Sequence, residues 1–154
     1  MTGLWVAAAA IVLALAFGAF RALSDGRFRG THSVRGAEQP ADEVATEPSV
    51  WAQLGDASGS AVLGERATLV QFSSAFCAPC RVTRRVLAEV AGVVPGVVHL
   101  EIDAEHHLEA VRRLGILRTP TTLVLDAAGH EVARAAGAPR KEQVLSAIPT
   151  PDPA

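Results

Sequence analysis

The chain is poor in several residue types. Its 154 residues include two cysteines, one lysine and no tyrosine, and only 5% are aromatic. Two cysteines cannot build the multi-bridge framework of a small disulfide scaffold, so stability must come from a packed core and the pair is free to serve chemistry. Net charge is −2, and no basic stripe with interleaved aromatics occurs, so nothing points to a nucleic-acid partner. No internal repeat occurs. The single lysine, Lys141, stands among many arginines beside abundant Ala, Val and Gly. That resembles the usage of high-GC bacteria, an association rather than a mechanism. The length suits one ordinary domain plus an appendage.

The appendage comes first. Gly3 to Phe20 carries no charge and is apolar throughout, and the extension to Leu23 adds one charge, Arg21. At about 1.5 Å per residue a helix over 3–23 spans roughly 30 Å, enough to cross a bilayer. The segment is therefore expected to be a single transmembrane helix in contact with lipid, Trp5 at one interface and Arg21 snorkelling at the other. A cleaved signal peptide is the competing reading. Ala22-Leu23-Ser24 is a passable cleavage site, but the charged n-region is missing. A buried core helix fits poorly, because the run is long and has no polar face. Arg21, Arg27, Arg29 and Arg35 all follow the span, and no Lys or Arg precedes it. The positive-inside rule then places the remainder in the cytoplasm, with the opposite side left open.

Residues 24–48 are expected to be a flexible linker, rich in Gly, Ser, Pro and acidic residues and without an apolar period. From 49 to 148 the pattern is that of a compact α/β domain, and 149–154 is expected to be a disordered tail. Ser49–Leu54 is either strand or helix. Ala67–Ser73 is expected as a buried strand. Pro79 to Val90 forms a helix with Val82, Val86, Leu87 and Val90 on one face. Val97–Ile102 is a strand, and Glu105–Leu114 a helix with Leu108, Val111 and Leu114 inward. Thr121–Leu125 and Glu131–Ala136 form a hairpin. Arg140–Ile148 is a last helix burying Val144, Leu145 and Ile148. The order β-α-β-α-β-β-α implies a mixed sheet flanked by helices on both faces.

The chemistry lies in Cys77-Ala78-Pro79-Cys80, where the first strand gives way to a helix. Two thiols at this spacing can close a small disulfide without unfolding their surroundings. A thiol at a helix start meets unsatisfied N–H groups and the positive end of the helix dipole, which favours thiolate, the form that attacks a disulfide. The bland alternatives are inert thiols or half a zinc site. Zinc needs four ligands, and the spare candidates are His99, His106 and His107.

Phe76-Cys77-Ala78-Pro79-Cys80 after the central strand, Ile102-Asp103 ending the next, Gly115 through Thr121 with its Thr119-Pro120-Thr121, and Gly137-Ala138 before the last helix together resemble the thioredoxin family. The resemblance covers roughly Thr68 to Ile148. It implies a thioredoxin-like fold and thiol–disulfide exchange with protein disulfides and a redox partner that the sequence does not identify, without a cofactor or metal. Cys77 would be the exposed attacking thiolate and Cys80 the buried resolving thiol. Thr119-Pro120 would be a cis bond opposite the dithiol, with the Thr119 backbone facing a substrate peptide. Phe76, Ala78, Pro79, Thr119 and Pro120 would form the substrate-facing surface.

Three departures matter. Phe76 stands where the family usually carries Trp. Gln71 replaces the usual buried Asp of the central strand, read as proton acceptor for the resolving thiol, and cannot titrate. His99 occupies the place of a lysine that usually pairs with that Asp, which makes Gln71 and His99 the candidate proton relay. Two other functions stay open at this level: a non-catalytic thioredoxin-like module that docks a membrane partner, and metal handling through the cysteine pair.

Overall fold

A computed structural model describes residues 2–24, 26–30 and 48–150. In chain order the elements are helix α1 (Thr2–Ser24), strand β1 (Phe28–Gly30), helix α2 (Val50–Leu54) followed by a 3-10 turn (Gly55–Ser58), β2 (Ala67–Ser73), α3 (Ala78–Val93), β3 (Val97–Asp103), α4 (Leu108–Arg113), β4 (Thr121–Asp126), β5 (Glu131–Ala136) and α5 (Lys141–Ala147). The five strands form one sheet in the order β1-β5-β4-β2-β3. β2 pairs parallel with β3 across the α3 crossover, and the pairs β2–β4, β4–β5 and β1–β5 are antiparallel.

Two-residue alternation along the strands divides the core. Val70, Phe72, Ile102, Leu123 and Leu125 face one way, packing with Leu54, Ala110 and Leu114 from the α2 and α4 side. Leu69, Val97 and Val124 face the other way, against Leu87 and Val90 of α3 and Val144 of α5. β2 is buried along its whole length. It is the scaffold on which the cysteine loop is mounted.

Several sequence expectations shift. Val82 is exposed, because the inward line of α3 runs through Cys80, Thr83, Leu87 and Val90, at helical spacings of three and four. α4 starts only at Leu108, which is exposed, and Ala110 and Leu114 are the buried positions. Leu145 is also exposed, while Val144 and Ile148 are buried. The undecided segment around Trp51 is helical, with Ser49 Oγ accepting the Ala52 N–H at its start.

The span 24–48 is not all linker. Phe28–Gly30 forms β1 on the sheet edge. Phe28 supplies the reason: it packs against the α3-side core. Gly26, at φ +72°, brings the chain in so closely that a Cβ there would sit 2.2 Å from the Ala138 carbonyl oxygen. The expected linker over 31–47 lies outside the described residues, as does 151–154. Pro149, expected in the tail, is tied to the domain, since its carbonyl accepts Arg66 Nε–H at 2.9 Å.

α1 covers 23 residues, and its side chains from Trp5 to Phe20 are exposed. Counted over the described residues alone, no helix is long and apolar enough to cross a membrane. The anchor reading therefore rests on the full sequence of the segment.

Candidate active site

The last residue of β2, Ser73, leads through Ser74, Ala75 and Phe76 into Cys77, which caps α3 with extended backbone angles. Its Sγ accepts the Cys80 N–H at 3.1 Å. This satisfies one of the open donors of the helix start and places the sulfur on the dipole's positive end. Pro79 lies in the first turn, where a missing N–H costs nothing. Cys77 and Cys80 form a disulfide with Cα atoms 5.2 Å apart. Cys80 is 1% exposed and Cys77 half-buried. The two sulfurs thus differ in access as attacking and resolving groups must.

The Thr119–Pro120 bond is cis. Pro120 is buried and opens β4, whose Thr121 pairs with Phe72 of β2, so the proline loop and the cysteine loop leave the sheet at the same end. The Ser74 and Thr119 hydroxyls lie 3.0 Å apart and tie the loops together. Phe76 and Leu117 are 101% and 95% exposed, one on each loop. Leu117 has no signal of its own in the sequence, because only the fold brings its loop beside the cysteines.

A cleft of about 420 Å³ opens beside the disulfide, lined by Ser73, Cys77, Cys80, Arg84, Glu101 and Asp103 among others. Under it runs a hydrogen-bonded chain. Gln71, fully buried, donates through Nε2 to Ser73 Oγ at 2.7 Å and to the Cys80 carbonyl at 2.9 Å. Its Oε1 faces His99 Nε2 at 3.2 Å. Both amide protons are committed, so Oε1 must accept and His99 must carry its proton on Nε2. Ser73 in turn hydrogen-bonds the Glu101 carboxylate, which also accepts Arg84 Nη2 at 2.7 Å. Gln71 and His99 therefore do meet, with the amide standing between the imidazole and Cys80.

Burial pushes His99 below the ordinary histidine range; the Arg84 charge works in the same direction and Glu101 opposes it. Glu101 lies below the ordinary carboxylate range. Burial alone would raise it, but hydrogen bonds from Arg84 and Ser73 and the charges of Arg84 and His99 outweigh burial. Asp103 is lowered chiefly by the Glu105 backbone N–H and by His106, whose Nδ1 lies 2.8 Å from its carboxylate. Nothing in the sequence signals Glu101 or Arg84, since their pairing joins a strand to a helix 17 residues away. His106 and His107 line a different depression, with Asp56, Glu105 and Glu109. Among the described residues no group of three or more His, Cys, Asp or Glu side chains could hold a metal ion.

Comparison with known proteins fits this geometry. The chain is 32% identical over 92 residues to thioredoxin H2-1 of Oryza sativa subsp. japonica, covering 60% of this chain and 64% of that protein. It is 33% identical over 85 residues to the thioredoxin of Alicyclobacillus acidocaldarius subsp. acidocaldarius, covering 54% and 80%. It spans 61–66% of the length of three plant thioredoxins that it matches. Among solved structures, a mutant thioredoxin from Halobacterium salinarum NRC-1 shares the fold at 19% identity, with a TM-score of 0.51, covering 55% of this chain and 73% of that one. The family model described as Thioredoxin matches residues 55–150, more than half of the sequence and all of the site above, and the chain belongs to the thioredoxin family.

Proposed function

We propose that the protein is a membrane-tethered thiol–disulfide oxidoreductase acting on protein disulfides. The observation that carries this is the half-exposed Cys77 Sγ at the N-terminus of α3, accepting the Cys80 N–H at 3.1 Å above a buried Cys80. In the reduced form, the Cys77 thiolate attacks one sulfur of a substrate disulfide. The substrate S–S bond breaks, its second sulfur leaves as a thiolate, and a mixed disulfide forms. The Cys80 thiol then loses its proton to solvent through the cleft that Glu101 and Asp103 line. Cys80 attacks Cys77 Sγ, and the bound substrate sulfur leaves. The substrate has gained two electrons and the protein ends as the Cys77–Cys80 disulfide. A redox partner restores the dithiol.

The substrate-facing surface consists of Phe76, Ala78, Pro79 and Thr119 over the buried Pro120, with the Thr119 backbone as the edge for pairing with an extended peptide. Gln71 holds the start of α3 on β2. His99 holds the Gln71 amide, which reaches the Cys80 carbonyl, so the pair positions Cys80 while its proton leaves to solvent.

The tether is the 3–23 segment, whose apolar length suits a single pass. The arginines after it favour a cytoplasmic domain. Labelling of intact cells with a membrane-impermeant thiol reagent tests the side: modification of Cys77 without lysis places the domain outside.

Insulin reduction tests the activity. Wild type should reduce insulin with a thiol donor, Cys77→Ser should not, and Cys80→Ser should accumulate the mixed disulfide. Wild-type activity no greater than that of the doubly substituted protein overturns the oxidoreductase reading and leaves the docking module and metal handling through the cysteine pair.

A further inference from the structure

The passage from α1 to the sheet is short. α1 ends at Ser24 and β1 begins at Phe28. Gly26, already held by the sheet, is two residues from Ser24, at most about 7 Å along an extended chain. The place of entry is specific. The Gly26 N–H donates to the Ala136 carbonyl at 3.0 Å, and Arg118 Nη2 donates to the same oxygen at 2.6 Å. The next N–H, that of Gly137, reaches the Pro120 carbonyl at 2.8 Å. The tether thus joins the domain beside the cis-proline loop.

Strand register puts this entry at the dithiol end of the sheet. Phe28 pairs with Ala135, Ala136 with Thr121, and Thr121 with Phe72, five residues before Cys77. β1 then runs away from that end, with Gly30 beside Ala133. The entry and the dithiol are separated across the sheet by three strand spacings, roughly 14 Å.

The same end carries Phe76 and Leu117, the two most exposed large apolar side chains among the described residues. Arg118 follows Leu117 in the chain and Arg27 follows the entry at Gly26, both exposed and cationic, a combination suited to anionic headgroups. A bilayer anchoring α1 has an interfacial layer about 5–8 Å deep on each side. A connection of about 7 Å keeps the entry, at the dithiol end of β1 and β5, at or just beyond that layer, and Phe76 and Leu117 at that same end are the apolar side chains that turn it toward the lipid. Turning the opposite end to the membrane would need the chain first to run the length of the sheet, about 20 Å for a seven-residue strand.

We propose that the dithiol end of the sheet faces the bilayer in which α1 is anchored, with Phe76 and Leu117 resting at the headgroup boundary. The disulfides Cys77 reaches are then those presented at the membrane surface. This rests on the anchoring proposed above, and the test separates the two. The full chain is reconstituted in phosphatidylcholine–phosphatidylglycerol vesicles, with or without brominated acyl chains that quench indole. Four proteins are compared: wild type, Phe76→Trp, Leu117→Trp and Val62→Trp. Val62 is exposed and lies just before the start of β2, at the far end of the sheet. All four should float with the vesicles. The indole emission added at 76 and at 117 should be lost in brominated vesicles, and that added at 62 should persist. Flotation with emission at 76 and 117 retained, or with all three quenched alike, overturns the orientation while the anchor stands. Failure to float overturns the anchor and the orientation with it.

Discussion

The Gln71 side-chain amide donates to the Cys80 main-chain carbonyl at 2.9 Å, and the same nitrogen reaches Ser73 Oγ at 2.7 Å. An uncharged group thus ties the first turn of α3 to the central strand, directly beneath the resolving cysteine. Gln71→Leu keeps the bulk and removes both bonds together with the acceptor for His99, leaving buried polar partners unpaired. The expected cost is about 1–3 kcal/mol. It should appear as a lower urea midpoint with an unchanged slope. An unaltered midpoint would show that the amide does not hold the helix start.

His99 should give the oxidised protein a dependence on mild acid. Its folded-state pKa lies below the ordinary value of 6.5 because burial disfavours the imidazolium. Below pH 6.5 the unfolded chain takes up a proton that the folded chain refuses, so stability falls as pH drops from that value toward the folded pKa. Glu101 and Asp103, also lowered, add a further loss in the same direction, but only as pH falls past their ordinary values of 4.5 and 3.8. His99→Gln keeps a donor for Gln71 Oε1 and cannot titrate. Urea midpoints measured from about pH 7 to about pH 5 should fall for wild type and stay nearly level for the variant. Parallel curves would refute the assignment.

Much of this architecture is legible in the sequence, and the failures have physical causes. The β2 strand, the hairpin and the α3 start follow from local apolar runs and from cysteine and proline placement, all short-range signals. Residue type alone turns the inward face of α3 toward Val82, which is more hydrophobic than Thr83, yet helix phase decides which of the two is buried. β1 escapes detection because a three-residue strand has no period, and its partner β5 lies about a hundred residues on. Glu101 and Leu117 escape for a related reason: each acquires its place beside the cysteines only when distant segments meet.

Thr83 carries a second consequence of that burial. Its hydroxyl oxygen is enclosed and, among the described residues, has no hydrogen-bond partner. Thr83→Val exchanges the hydroxyl for a methyl of similar shape. It should leave stability unchanged or raise it by about 1 kcal/mol. Calorimetry on the oxidised protein reads the difference directly. A clear fall in the melting temperature would mean that the hydroxyl is bonded after all.

Gly26 controls how tightly the tether is held. Its φ of +72° is strained for other residues, and an added Cβ would meet the Ala138 carbonyl oxygen at 2.2 Å and the Pro139 nitrogen at 2.8 Å, both rigid backbone. Gly26→Ala should therefore expel the segment from the sheet edge and detach β1, without touching β2, α3 or the cysteines. Hydrogen exchange at 28–30 should rise to that of open chain, while exchange along β2 stays slow. The covalent path between α1 and the folded domain then lengthens from a few residues to the whole stretch before α2. A domain on so long a leash is no longer obliged to keep its dithiol end on the bilayer. In the vesicle experiment, adding Gly26→Ala to Phe76→Trp should preserve flotation and restore indole emission in brominated vesicles. If the emission stayed quenched, Phe76 would be held at the interface by its own affinity for lipid, and the short connection would be unnecessary for the orientation.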